Sequence, residues 1–252
     1  MAYFSKFPKT LYSFGDGKVA LAQNLTVYAE IIDELKQNSA YYKPYNIITG
    51  ERPDQVAFKL YKDPNLYWTL FLLNDTLREK GWPLDHSEVI QKAKKDFPDY
   101  VIHTHDEIFD KLQVGESIIC TRSGLHGDIV YRNLKNGDIT ITNLRKLQGD
   151  TYVPVLFSDT DIREGDEIRS INTDETIIAE YFTPEYYAAR HHIDSDGNIV
   201  DYLPFTGVGE GIERVTNLEY YTQENDKLKQ INVIKPIVIT KVISAFNDAV
   251  RS

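Results

Sequence analysis

The sequence predicts an α+β fold, with helical segments toward both ends of the chain and an inserted small all-β domain, a barrel or sandwich, between them. Two closely spaced proline-marked helix starts, at Pro53 and Pro64, argue for the first helical part. Alternating β-branched residues broken by glycine turns over 101–182 argue for the β domain. Helical spacing returns over 217–250 around one short strand. The 252 residues suffice for one large domain or two to three small ones. Their texture divides them into 1–40, 41–100, 101–185 and 186–252.

Residues 1–18 read as an irregular arm, interrupted by Pro8, Gly15 and Gly17. Order there needs something to lie against. From Leu21 to Gln37 the spacing is helical, because Leu21, Leu25, Tyr28, Ile32 and Leu35 recur three and four apart. The segment YYKPYNIIT (41–49) is an extended, aromatic lead-in. Pro53 suits the first turn of a helix, where its missing N–H has no partner to lose, and Asp54 sits at the positive helix end. Val56, Ala57, Leu60 and Tyr61 then share a face. Asp63 and Pro64 repeat the signal: an acceptor side chain for the N-cap, then proline at the first helical position. Between Leu66 and Leu73 only Thr69 is polar, which predicts a second helix buried nearly all round and ended by Asn74 and Asp75. A third helix is expected over Ser87–Lys95.

Within the β-rich stretch, VGESIICT, GDIVYRNL, NGDITITNL and EGDEIRSI each set a Gly-acid pair before a short strand. The Asn-Gly of KNGD, between two alternating runs, is a hairpin signal. Four or five strands at this spacing suggest a small barrel or sandwich. ARHHIDSDGNIVDYL (189–203) reads as a further hairpin turning at Ser195–Asn198, and YLPFTGVGEGIERV (202–215) as a glycine-rich loop. NLEYYTQENDKLKQ (217–230) is helical, INVIK a short strand, and PIVITKVISAFNDAV (236–250) an amphipathic helix with Ile239, Val242, Ile243, Phe246 and Ala249 as its stripe.

Charge narrows the function. The formal net charge is −10, from 38 acidic and 28 basic residues, which argues against a nucleic-acid partner, since phosphate binding needs clustered cations. The run KAKK (92–95) is followed at once by Asp96 and reads as a solvated helix end. A single cysteine, Cys120, leaves no internal disulfide, and its apolar surroundings in SIICT make it a small core residue. The N-terminus lacks the apolar core of a signal peptide, and nowhere do 18 apolar residues run together, so no membrane span is expected and the chain reads as cytosolic when made. Tyrosine is abundant, at 17 residues, and suits contact surfaces because its ring is apolar and its hydroxyl can stay hydrogen-bonded.

Three segments tempt an enzymatic or ligand-binding reading. HTHD (103–106) could set two histidines on one strand face, but no third metal ligand follows by spacing. HHIDSDGN (191–198) has glycine where a calcium loop does not want it and no glutamate at the twelfth position, so it reads as a turn. GVGEG (207–211) lacks the preceding strand and the phosphate-anchoring Lys-Ser/Thr. No catalytic set emerges, and neither enzyme activity nor a metal or cofactor is expected.

The segment from Asn46 to Asn74 resembles the LysM module, a βααβ fold best known for binding peptidoglycan and chitin. In its particular form, ERPDQVAFKLYKDPNLYWTLFLLND (51–75), the R-P-[DE] start, the L-Y-x-[DN]-P joint and the Y-W-x-L-x-x-x-N-D end resemble the T4-type wedge proteins of the inner baseplate in contractile-tail phages. ENDKLKQINVI with SAFNDAV, and HHIDSDGNIVDYL, are similar to further parts of that family; the stretch over about 104–182 has no counterpart. The resemblance implies a LysM-like βααβ module with flanking helices and a structural, non-enzymatic subunit of the virion tail baseplate, made and assembled in the host cytoplasm. It implies partners among the other baseplate wedge proteins, the sheath-initiating ring and adjacent copies of the chain, with no nucleic acid and no membrane. The residues it marks for partner binding are Arg52, Tyr61, Tyr67, Trp68, Asn74, Tyr220 and Tyr221. The alternative is a LysM-type peptidoglycan-binding protein, which would expose its aromatics along a groove; a tail lysozyme is disfavoured for want of an acid–nucleophile pair.

Overall fold

The computed structural model describes residues 9–13, 17–23, 36–201 and 211–251. The chain forms two compact units, one from 1–85 together with 224–252 and one from 86–223.

The first unit opens on a hairpin of β1 (Lys9–Ser13) and β2 (Val19–Gln23), with Leu11 opposite Leu21 and Ser13 opposite Val19. Strand β3 (Tyr42–Asn46) leads to helix α1 (Pro53–Tyr61). The α1 start is closed by Gln55, whose Oε1 accepts the Arg52 N–H at 3.0 Å. It stops at Lys62, which takes a left-handed φ of +62° and returns its N–H to Phe58 O. Asp63 then accepts the Asn65 N–H at 2.9 Å and Pro64 restarts the winding. The restart is a 3-10 turn over Pro64–Trp68 that continues as a single α turn, α2 (Thr69–Leu72). Helix α3 (Asp75–Lys80) follows.

The second unit begins with α4 (His86–Asp96). Its main sheet holds β4 (Tyr100–His103), β5 (Ser117–Cys120), β6 (Leu125–Asn133), β7 (Asp138–Gln148), β8 (Thr151–Pro154), β9 (Glu167–Ser170), β10 (Thr176–Ile178) and β11 (Tyr181–Pro184). The order is β10-β9-β5-β6-β7-β4-β11 with β8 added on β7, and every pairing is antiparallel. β6 and β7 turn through Asn136-Gly137, Gly137 taking the positive φ (72°) the tight turn requires. Near the other end of β6 the register shifts at Gly127, where a Cβ would meet Ile141 Cδ1 at 2.9 Å. Ile102, Ile118, Cys120, Ile129, Ile139, Ile141 and Ile168 fill the concave side as one buried cluster. A smaller sheet sets β12 (Ala189–Ile193) between β13 (Ile199–Val200) and β14 (Glu213–Thr216).

Helix α5 (Asn217–Lys227) carries the chain back to the first unit. There β15 (Gln230–Ile234) pairs antiparallel with β3, and α6 (Ile239–Arg251) closes the chain's described part. Period-two alternation then divides the packing. Ile231 and Val233 join Ile47, Val56, Leu70 and Leu77, while Ile234 joins Leu72, Leu73, Ile239, Val242 and Phe246.

These facts correct the α+β, LysM-like fold class. The protein is mostly β-sheet with few and short helices, and its dominant feature is an eight-stranded curled sheet, a half-barrel, neither closed as a barrel nor stacked as a sandwich. No strand follows the second helical segment, as a βααβ module would require; α3 stands there, and the partner of β3 arrives only at 230–234. Two local expectations also fail. Residues 9–13 and 19–23 are paired strands instead of arm and helix start, because Val19, Leu21 and Gln23 alternate with two alanines as a strand does. Of the helix expected over Leu21–Gln37, Lys36 and Gln37 are helical and 24–35 lie outside the described residues, as does most of the glycine-rich loop. The segment after Pro64 is not buried all round: Leu70, Leu72 and Leu73 are, Tyr67 is exposed, and Leu66, Trp68 and Phe71 are half-buried.

Candidate assembly surface

The seven residues marked by sequence divide into those used inside the fold and those at its surface. Asn74 is 8% exposed, and its carboxamide mimics a neighbouring strand. Nδ2 donates to Leu70 O at 2.6 Å and to Asn232 O at 2.8 Å, while Oδ1 accepts the Asn232 N–H at 2.8 Å. Backbone bonds from Ile47 N to Lys229 O and from Lys235 N to Tyr41 O fix which pairs of β3 and β15 are hydrogen-bonded. By alternation, Asn232 lies in a non-bonded pair with Pro44, so its peptide groups point away from β3. Pro44 loses nothing by lacking an N–H at that position. Tyr61 completes the closure of the outer edge: its hydroxyl donates to Ile234 O at 2.9 Å, and burial pushes its pKa up to about 12. Asn74 and Tyr61 together seal the free edge of a two-stranded sheet.

Trp68 packs its ring 4.7 Å from Phe246 and anchors α6. Arg52 and Tyr67 are exposed, and Arg52 pairs with Asp54 at 3.1 Å. Beside them Glu51 gathers the turn: it accepts the Ile48 N–H at 3.0 Å and the Tyr45 hydroxyl at 3.2 Å and bonds Lys59. Burial raises its carboxyl, but Lys59 and the Ile48 N–H outweigh that and hold it below the usual range. Trp82 donates its indole N–H to Glu51 O at 2.6 Å.

A further exposed apolar surface of this unit lies on the β1–β2 hairpin. Leu11, Val19 and Leu21 share one face of the β1–β2 hairpin and are 69%, 59% and 61% exposed. Only their alternation could have signalled this from sequence, and the wider helical spacing obscured it.

Tyr220 and Tyr221 belong to the second unit. Arg190 lies 4.0 Å over the Tyr220 ring, and Tyr221 donates to Asp96 at 2.9 Å. The histidines of HTHD do not share a role: buried His103 holds its Nδ1 2.8 Å from Asp138 Oδ1, whereas His105 pairs with Glu180 at 3.2 Å. Burial pushes the Asp138 carboxyl up, opposed by His103. Asp194 binds the backbone N–H groups of Asp196 and Asn198, the work of a turn. Among the described residues, no three His, Cys, Asp or Glu side chains gather to hold a metal ion, and no helix is long and apolar enough to cross a membrane.

Residues 4–101 match the family model of base plate wedge protein 53. The baseplate match covers under half of the chain and supports a structural role in a phage tail baseplate, in contact with other baseplate proteins. No curated protein matches the chain. The wedge match includes the hairpin, the β3–α1–α2 joint and α4, and stops as the eight-stranded sheet begins.

Proposed function

We propose that this protein is a non-enzymatic structural component of a contractile-tail baseplate wedge, joining neighbouring wedges around the central hub through protein–protein contacts. Its partners in this reading are the other wedge proteins, the sheath-initiating ring and adjacent copies of itself. The baseplate wedge match over 4–101 carries the proposal. The bare apolar face of the β1–β2 hairpin supports it, because a two-stranded hairpin alone is marginal in water and gains stability by covering such a face.

Co-expression of the full chain with the remaining wedge proteins of its own phage tests this. A stable complex that co-migrates through size exclusion is the expected result. Saturable pelleting with peptidoglycan, with no association to any wedge protein, would overturn it.

A further inference from the structure

Two rows of side chains meet in the second unit. Across β7, β4 and β11, Asp138 stands opposite His103 and His103 opposite Tyr181. Their chain neighbours Ile139, Ile102 and Phe182 belong to the concave core, so alternation puts this row on the convex face. Across β12 and β14 of the small sheet, His192 stands opposite Arg214. The Arg214 guanidinium lies 5.2 Å from the centre of the Tyr181 ring, and that ring stacks on His103 at 4.6 Å. Beside them Asn136, in the β6–β7 turn, donates to Ala189 O of β12 at 3.2 Å. His103, Asn136, Asp138 and His192 are all buried. The seam between the small sheet and the eight-stranded sheet therefore holds buried titratable groups.

His192 is kept neutral there. Burial, then His103, Arg214 and His191, push its imidazole below the ordinary histidine range. Asp138 is the carboxylate of the first row and is bonded to His103 at 2.8 Å. The other charged groups around the seam lie outside the two rows. His105 pairs with Glu180 at 3.2 Å just past the end of β4, and Lys135 pairs with Asp201 at 2.9 Å on the surface. Arg190 lies over the Tyr220 ring, and Glu213 stands opposite Ile193, one residue out of the row. Glu219 lines the same groove as Arg214 and accepts the Thr216 N–H at 2.8 Å. A proton on His192 thus adds a buried cation directly across from Arg214.

We propose that this seam is a pH-operated latch, in which protonation of His192 parts the small sheet from the convex face of the eight-stranded sheet. A histidine whose folded pKa is depressed stabilises the closed seam above its ordinary value of about 6.5, and that contribution is lost as pH falls toward the folded value. Asp138 carries the opposite sign: burial raises its carboxyl, outweighing His103, Asn136 and Arg214, so its proton uptake opposes the opening. The latch therefore works in the histidine range and through His192. It stands on the second unit alone and not on the wedge match.

Deuterium exchange on the full-length protein, read by mass spectrometry and corrected for the slower intrinsic exchange in acid, tests this. Between about pH 7.5 and pH 5, protection of peptides covering 189–193 and 213–216 should fall about tenfold or more, while that of 117–133 holds. His192→Gln, which keeps a polar side chain without the titration, should show the same protection of the small sheet at both pH values. The imidazole of His192, followed by proton NMR in the unaltered protein, should titrate below about pH 6.5 and needs no variant to fold. Protection of the small sheet that does not change with pH would overturn the proposal. So would an even loss over the whole second unit, a His192→Gln profile that follows the unaltered protein, or a His192 midpoint at or above the ordinary value.

Discussion

Asn74 shows how one side chain can decide whether a strand edge is closed. It satisfies both peptide groups of Asn232 and the carbonyl of Leu70, and is itself buried. Asn74→Ala should therefore cost about 2–4 kcal/mol in urea denaturation, more than the about 1–2 kcal/mol expected for Tyr61→Phe, which strands only one carbonyl. Asn74→Asp should cost at least as much as alanine at neutral pH, because the carboxylate has no proton to offer two carbonyl oxygens. That excess should shrink below about pH 4, where the protonated acid can donate again; an unchanged difference would refute the hydrogen-bonding account. The sequence marked Asn74 and Tyr61 but as contact residues, since pattern alone does not say whether a polar group faces a partner or its own distant backbone. A second residue-level prediction concerns acid. Bonds from Arg145 hold the Asp128 carboxyl far below its usual range; burial opposes this, and Ser117 and Asn143 add to it. Its folded pKa is depressed, so its stabilisation is complete above about pH 4 and is lost as pH falls toward the folded value. Asp128→Asn should flatten the fall in stability between about pH 4 and pH 2, read from urea midpoints; an unaltered slope would show the pair contributes nothing.

At the scale of elements, local chemistry was legible and long-range pairing was not. Pro53 opens α1, and the Asn-Gly turn joins β6 to β7, because those residues fix backbone angles by themselves. Pro64 also starts a helical turn, but Lys62 and Asp63 leave so short a joint that the result is 3-10 before it is α. The partner of β3 could not be read, since β15 lies far along the chain and nothing in YKPYN names QINVI. The curled sheet escaped for the same reason: β5, β6, β7 and β9 were visible, but the other four strands and the seam of β4 with β7 and β11 were not. The hairpin gives a prediction that separates folding from assembly. Leu11 and Leu21 are mostly solvated, so L11D/L21D should change the stability of the protein by no more than about 0.5 kcal/mol. The same variant should lose association with the wedge proteins in co-purification. Retained association would mean that this face is not a contact.

For the molecule as a whole, the question is how a unit made of two distant stretches keeps its identity. Unit one is interrupted after residue 85 and resumes at 224. The two ends of that interruption are clamped by one side chain: Asn225 Oδ1 accepts the Leu84 N–H at 2.7 Å, and its Nδ2 donates to Leu84 O at 3.0 Å. Lys80 and Glu224 add an ion pair at 2.8 Å beside the clamp. Chain ends held that close can be rejoined with little loop entropy, whatever the length of the segment removed. The β3–β15 pair, the Asn74 bracket and the α6 stripe all lie within 36–85 and 224–251. A chain in which 86–223 is replaced by a short Gly/Ser linker should therefore fold on its own, with a cooperative thermal transition by circular dichroism. Asn225→Ala in that shortened chain should lower the transition further than in the full-length protein, where the same clamp is supported from both sides by ordered chain. A broad, non-cooperative melt of the shortened chain would show that unit one needs the inserted segment to fold, and that the clamp closes a structure already formed by other means.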